Sequence, residues 1–402
     1  MIKYQSLTYV FGTCVVISAM LQPLNAISDD TSYCGSLSEI AEEVPLSAGG
    51  AITLSNVQAA RRQLHDYVSA NASANAAATI FLSMYLSDSI DKFSLILFAD
   101  AAEGQLGFRM DEICHLAGWG AGDSFPTVIS GVNDKRLEIA AALERRQFSK
   151  TEVSGSEIWT RSEVSTLEGL QDDIDPFGGM LGREQRFAID SNVLRFARDA
   201  NMSLELSPGI ARLASEPSIA AILTALQPNP ELGEVIDVML LPEQPSRFDN
   251  LAGRMDLPET ISENEMIARL ENWRGYSLPG LPKFSRYAIA HWRKAEKVSA
   301  TVIIPFSDRS NADLAVERIE TNLNNMDSMI NRSAILDLFP QPRSYEVRRV
   351  RNYELILWKL TEKYTDIDDS LVQVARNPFI RLADMVRVGE IGLLLGADDE
   401  LR

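Results

Sequence analysis

The chain has 402 residues, 46% hydrophobic and 23% charged, with 38 Lys and Arg against 56 Asp and Glu for a formal charge of −18. Those proportions exclude disorder as the overall state, a collagen, a coiled coil and a multi-span membrane protein, each of which needs a bias absent here. At roughly 150 residues per domain the length suits two or three domains, and acidity spread along the chain disfavours nucleic acid and anionic bilayers, both of which call for clustered Lys and Arg.

Residues 1–26 read as a secretory signal peptide: Lys3, an apolar run from Leu7 to Leu21, then Pro23 and Leu24-Asn25-Ala26, which ends on a small residue. The run is shorter than the ~20 residues that cross a bilayer as a helix. Cleavage after Ala26 removes Lys3 and Cys14, taking the charge to −19 and leaving Cys34 and Cys114. The mature protein is expected to be periplasmic or secreted, with no membrane span. Two cysteines in an oxidising compartment imply one disulfide, closing a loop of 80 residues.

After a leader segment at 27–54, Ser55 caps a helix running to about residue 70, and Thr79–Ser87 and Lys92–Asp100 read as two strands. Asp111–Ala117 reads as a helix. Asn133–Gln147 reads as another, with Leu137, Ala140, Ala141 and Leu143 on its buried face. Lys150–Arg161 forms a hairpin turning at Ser154-Gly155-Ser156, followed by helices at Ser191–Ala200 and Pro217–Gln227 and a buried strand at Val235–Leu241. The Pro-rich stretches 242–258 and 278–282 read as connections. Beyond them come a hairpin of Tyr287–Lys294 and Val298–Phe306, and a helix at Ala312–Leu323 introduced by Ser310 and Asp313. A hairpin at Ser344–Leu360, a helix at Pro378–Arg387 and a buried strand at Ile391–Leu395 complete the series. Strand periodicity places Trp159 and Trp358 in the core.

The order of elements does not follow regular βαβ units, so the expected fold class is α+β with antiparallel sheets. Four co-linear matches point to two weakly similar copies of an antiparallel-sheet-plus-helices unit: Leu64–Tyr67 with Leu270–Trp273, Phe93–Asp100 with Val298–Asp308, Thr151–Trp159 with Tyr345–Trp358, and Ile189–Arg198 with Ile367–Arg376. The first copy then spans 55–245 with insertions, 246–260 is a linker, and the second spans 261–402.

Catalytic signatures are sparse. The chain carries no GxSxG, HExxH, Walker A or GxGxxG, and His65, His115 and His291 lie far apart. Ser89 and Lys92 fit SxxK, but in an expected turn and without a companion KTG. No catalytic or cofactor-binding residue is assigned. Two acidic clusters, Asp172, Asp173 and Asp175, and Asp366, Asp368 and Asp369, offer the oxygen ligands a calcium ion takes, although Asp before a helix also serves as a cap. Trp119, set among Gly118, Gly120 and Gly122, and Phe125 are candidates for an interaction surface. The expectation is an exported, non-enzymatic binding or interaction protein of the cell envelope, its partner an envelope protein or a small ligand. The alternatives are an exported hydrolase using paired Asp and Glu in a cleft between the copies, and a calcium-stabilised structural protein.

Overall fold

The computed structural model describes residues 34–60, 62, 106–108, 112–120, 126–153, 156–161, 185–190, 193–197, 210–245, 278–294, 297–328, 334–339, 343–363 and 377–397. The chain divides into two units, Met1–Glu216 with Ile236–Val238, and Pro217–Val235 with Met239–Arg402. This division differs from the sequence expectation, which ended the first copy at 245. The strand expected at Ile391–Leu395 and the helices expected at Asp111–Ala117 and Ser191–Ala200 are also replaced by other elements, described below.

The first unit contains α1 (Leu37–Ala41), β1 (Ile52–Asn56), β2 (His115–Trp119), β3 (Thr127–Ser130), α2 (Arg136–Arg145), β4 (Ser149–Val153), β5 (Ser156–Arg161), β6 (Gln185–Ile189) and β7 (Val193–Ala197). Its strands pair antiparallel in the order β1-β2-β3-β7-β6-β5-β4. Side chains alternate across a strand, and the register sorts them into two faces. Leu116, Ile129, Leu194, Phe196, Phe187 and Trp159 share a core with Ile139 and Leu143 of α2. Phe187 lies between Phe148 and Phe196, with ring centroids 5.4 and 5.0 Å away. On the other face α1 packs against β1, β2 and β3, burying Leu37, Ile40 and Ala41.

Several local readings change here. Ser55 lies inside β1 and is fully buried, and the helical residues 57–60 are capped instead by Asn56, whose Oδ1 accepts from Ala59 N at 2.9 Å. The segment read as a helix at 111–117 contributes most of β2, because β1 and β3 offer ladders on both sides. Likewise the expected helix at 191–200 is β7, fully buried between β3 and β6. In both places tertiary pairing overrides a local helical pattern. The helix read at Asn133–Gln147 is present as α2, but it buries Ile139, Ala142 and Leu143 while Leu137 is 82% exposed. The β4–β5 hairpin and the buried Trp159 follow the sequence reading.

The second unit contains α3 (Pro217–Ala225), both ends of β8 (Glu234–Leu241), whose middle residues Ile236–Val238 count with the first unit, β9 (Tyr287–Lys294), β10 (Lys297–Phe306), α4 (Arg309–Asn325), β11 (Arg343–Val350), β12 (Tyr353–Lys363), α5 (Pro378–Arg387) and α6 (Ile391–Leu395). Its strand order is β8-β9-β10-β12-β11, with β9–β10, β10–β12 and β11–β12 antiparallel. α4 and α5 pack on β10 and β12, and α3 packs on β10, β11 and β12. α3 carries no polar stripe and is buried at Ile219, Ala220, Ala221, Ile222, Leu223 and Ala225, so it is a core helix. Trp358 is fully buried, stacked on Tyr345 at 6.1 Å and edge-on to Phe339.

β8 and α5 appear where the sequence places them, as does the β9–β10 hairpin. α4 begins earlier than expected, since Asp308 rather than Ser310 caps it, accepting from Asn311 N at 2.8 Å. Ile391–Leu395 is a helix rather than a strand; five apolar residues bear no period that separates the two, and the backbone closes Gly396 N onto Gly392 O.

β1 lies beside the β2–β3 hairpin, which α2 follows, and β7 lies next to β3; β8 lies beside the β9–β10 hairpin, which α4 follows, and β12 lies next to β10. β6–β7 and β11–β12 are the antiparallel pairs at those positions, and the first unit also has β4–β5.

Candidate functional site

A disulfide, a buried histidine and the residues that hold an N-terminal segment meet where β2 begins. Cys114 precedes β2, and its backbone is fixed twice: its N–H donates to Ser130 O at 2.9 Å and its carbonyl accepts from Val57 N at 3.0 Å. Gly131 makes this close approach possible. It sits at φ +98°, and a Cβ there would overlap Glu112 O and Cys114 N. Cys34 reaches the same point from the N-terminal side and is bonded to Cys114, with Cα atoms 5.3 Å apart. The bridge delivers α1 onto the sheet. Glu39 steadies the first turn of that helix by accepting from Ser36 N at 3.2 Å.

His115, the first residue of β2, is opposite Asn56 of β1 and Ser130 of β3. It is 2% exposed, and its Nδ1 is 3.3 Å from Ser130 Oγ. Burial pushes its pKa below the usual imidazole value, with the Glu39 charge and the Gly35 backbone pulling partly the other way. A neutral imidazole beside a hydroxyl is the material of general-base chemistry. Here the face that holds it is covered by α1, so the arrangement fastens an N-terminal segment over a buried histidine.

Further along the same segment, Glu43 forms an ion pair with Arg195 of β7, a side chain only 3% exposed. Arg195 Nη1 also donates to Glu43 O at 2.9 Å, and Arg212 Nη1 donates to the same carbonyl at 3.2 Å. Burial lowers the Arg195 pKa and the Glu43 charge opposes that shift, so the pair is held by hydrogen bonds as well as charge. Leu46 N to Ala211 O and Leu213 N to Val44 O complete the attachment.

The expected pair Cys34 and Cys114 is thus brought together. Trp119 ends β2 opposite Ile52 and is 5% exposed, on the face that α1 covers. Phe125, both acidic clusters (Asp172, Asp173, Asp175, Asp366, Asp368 and Asp369), His65, Ser89 and Lys92 lie outside the described residues. His291 is fully buried in β9, stacked on Phe379 at 4.9 Å with its Nε2 3.5 Å from Asn377 Nδ2. Among the described residues no group of three or more His, Cys, Asp and Glu is placed to hold a metal ion, and no helix is long and apolar enough to cross a membrane. Glu39, Glu43, Ser130 and Arg195 were not singled out from sequence; the sheet register places Ser130 and Arg195, the packing of α1 and the turn after it brings Glu39 and Glu43, and no local motif announces either.

No family model matches the chain, and no curated protein is significantly similar to it. Solved structures of TP0453 are similar at a distance. Crystal form I gives 10% identity over 86% of this chain and 98% of that one, with a TM-score of 0.33. Crystal form III gives 12% identity over 85% and 98%, also at 0.33.

Proposed function

We propose that the chain is an exported, non-enzymatic binding or interaction protein of the cell envelope, periplasmic or secreted, built from two duplicated α+β units. The observation that carries the reading is the Cys34–Cys114 bridge, which ties residues 80 apart across the buried start of a central strand. Such a bridge persists in an oxidising compartment, and the signal-like residues 1–26 supply a route there. The parallel strand orders of the two units support the duplication, through the β6–β7 correspondence rather than the residue matches that first raised it.

The test is expression from Met1 in a host with an active secretion pathway, followed by fractionation and determination of the mature N-terminus. Export with a chain starting at Ile27 is the expected result. An intact chain retained in the cytosol with its first 26 residues attached overturns the reading.

A further inference from the structure

The strand order ends on β11 at one side and on β4 at the other. β11 of the second unit is guarded: Arg309 Nη1 donates to Val347 O at 3.3 Å, and Glu346 is engaged by Arg348 and Lys359, each at 2.7 Å. Charged side chains and occupied backbone acceptors are ordinary ways of blunting an edge. β4 of the first unit is different. Ser149, Lys150, Thr151 and Glu152 are all exposed, and among the described residues no strand pairs with its outer side.

The charges along β4 are arranged about Thr151. Lys150 lies opposite Trp159 and Glu152 opposite Glu157, so both charged side chains are on one face. Glu157 is already taken, by Lys150 at 2.7 Å and Arg136 at 3.1 Å. Glu152 therefore faces a like charge across the ladder, which is unfavourable, and it has no ion pair among the described residues.

We propose that β4 is a self-pairing edge, its partner the β4 of a second copy of this chain, antiparallel about a two-fold axis at Thr151. In that register each Lys150 lies opposite the second copy's Glu152, twice by symmetry. Shifting the pairing by two residues either way, the smallest step that keeps the same faces aligned, sets Lys150 against Lys150 or Glu152 against Glu152. Charge alone selects one register, and that pairing supplies the Glu152 carboxylate with a cation its own hairpin does not give it. An isologous contact of this kind closes on itself and stops at a dimer.

The experiment is sedimentation of the full, disulfide-bonded chain over a concentration series, with the variants K150E and E152K, the double variant K150E/E152K, and an equimolar mixture of the single variants. Each single variant sets like charges opposite one another and is expected to weaken dimerisation about tenfold. The double variant and the mixture, whose charges are again complementary, are expected to recover it. Glu152 takes part in no ion pair of its own hairpin, so E152K keeps the test informative even if K150E disturbs the Lys150–Glu157 contact. A chain that is monomeric at every concentration overturns the proposal, as does a dimer indifferent to the single changes or a mixture that fails to recover.

Discussion

Where β2 begins, Cys114, just before the strand, is bonded to the N-terminal segment, and His115, its first residue, is buried beneath that segment. Breaking the bridge with Cys114→Ser releases the entropy of an 80-residue loop and is expected to lower unfolding free energy by about 4 kcal/mol, read by denaturant titration under non-reducing conditions. His115 makes a separate, pH-dependent contribution. Its folded pKa lies below the ordinary 6.5, so the unfolded chain takes up the proton first. Stability is therefore full above pH 6.5, falls as pH drops below it, and levels off once the folded histidine also protonates. Unfolding free energies from denaturant titrations across that interval should fall in the parent, by at most about 1.4 kcal/mol per pH unit, and should be flatter in His115→Gln. Glu157 and Glu346 are held below their ordinary 4.5 by Lys150 and Lys359, each against an opposing desolvation effect, and their losses come later, as pH falls below that value. The cysteine pair was legible from sequence because only two cysteines follow residue 26. His115 was not, because His-Leu-Ala-Gly-Trp contains no β-branched residue and its strand state is imposed by β1 and β3.

α5, whose start is strongly punctuated, was read correctly, whereas β2 and β7, each paired on both sides, were read as helices. α5 opens with Asn377 and Pro378, a cap and a residue suited to a first turn, and its boundaries match the sequence reading. Asn377 is fully buried and accepts from Phe379 N at 2.9 Å, so Asn377→Ala is expected to cost about 1 kcal/mol or more in chemical denaturation. α2 closes with Phe148 N on Leu143 O at 3.0 Å and Gln147 N on Glu144 O at 2.9 Å, the paired hydrogen bonds of a Schellman ending. That ending needs a positive φ, and Gln147 supplies it at +62°. Gln147→Gly removes the Cβ strain and should raise stability by up to about 1 kcal/mol, read as a higher denaturation midpoint. β7 shows the opposite case: Ser191 suggested a cap and the following residues a helical face, yet both ladders of a central strand were available, and Val193–Ala197 is buried throughout. No residue of the segment announces that β3 and β6 are coming to meet it.

For the molecule as a whole, composition excluded the non-globular classes, and the order of the expected elements gave the class that is found: mixed helix and antiparallel sheet, with helices packed on the strands. The strongest link between sequence, fold and compartment is the bond between Cys34 and Cys114, because an exported chain can keep it and a cytosolic one is held reduced. The most direct test is therefore the thiol state of the protein as it is made: rapid alkylation of cells expressing the chain from Met1, then digestion and mass spectrometry without reduction. The account predicts a single cross-linked peptide joining Cys34 to Cys114, with neither residue alkylated until reductant is added. Quantitative alkylation of both cysteines before reduction would contradict it.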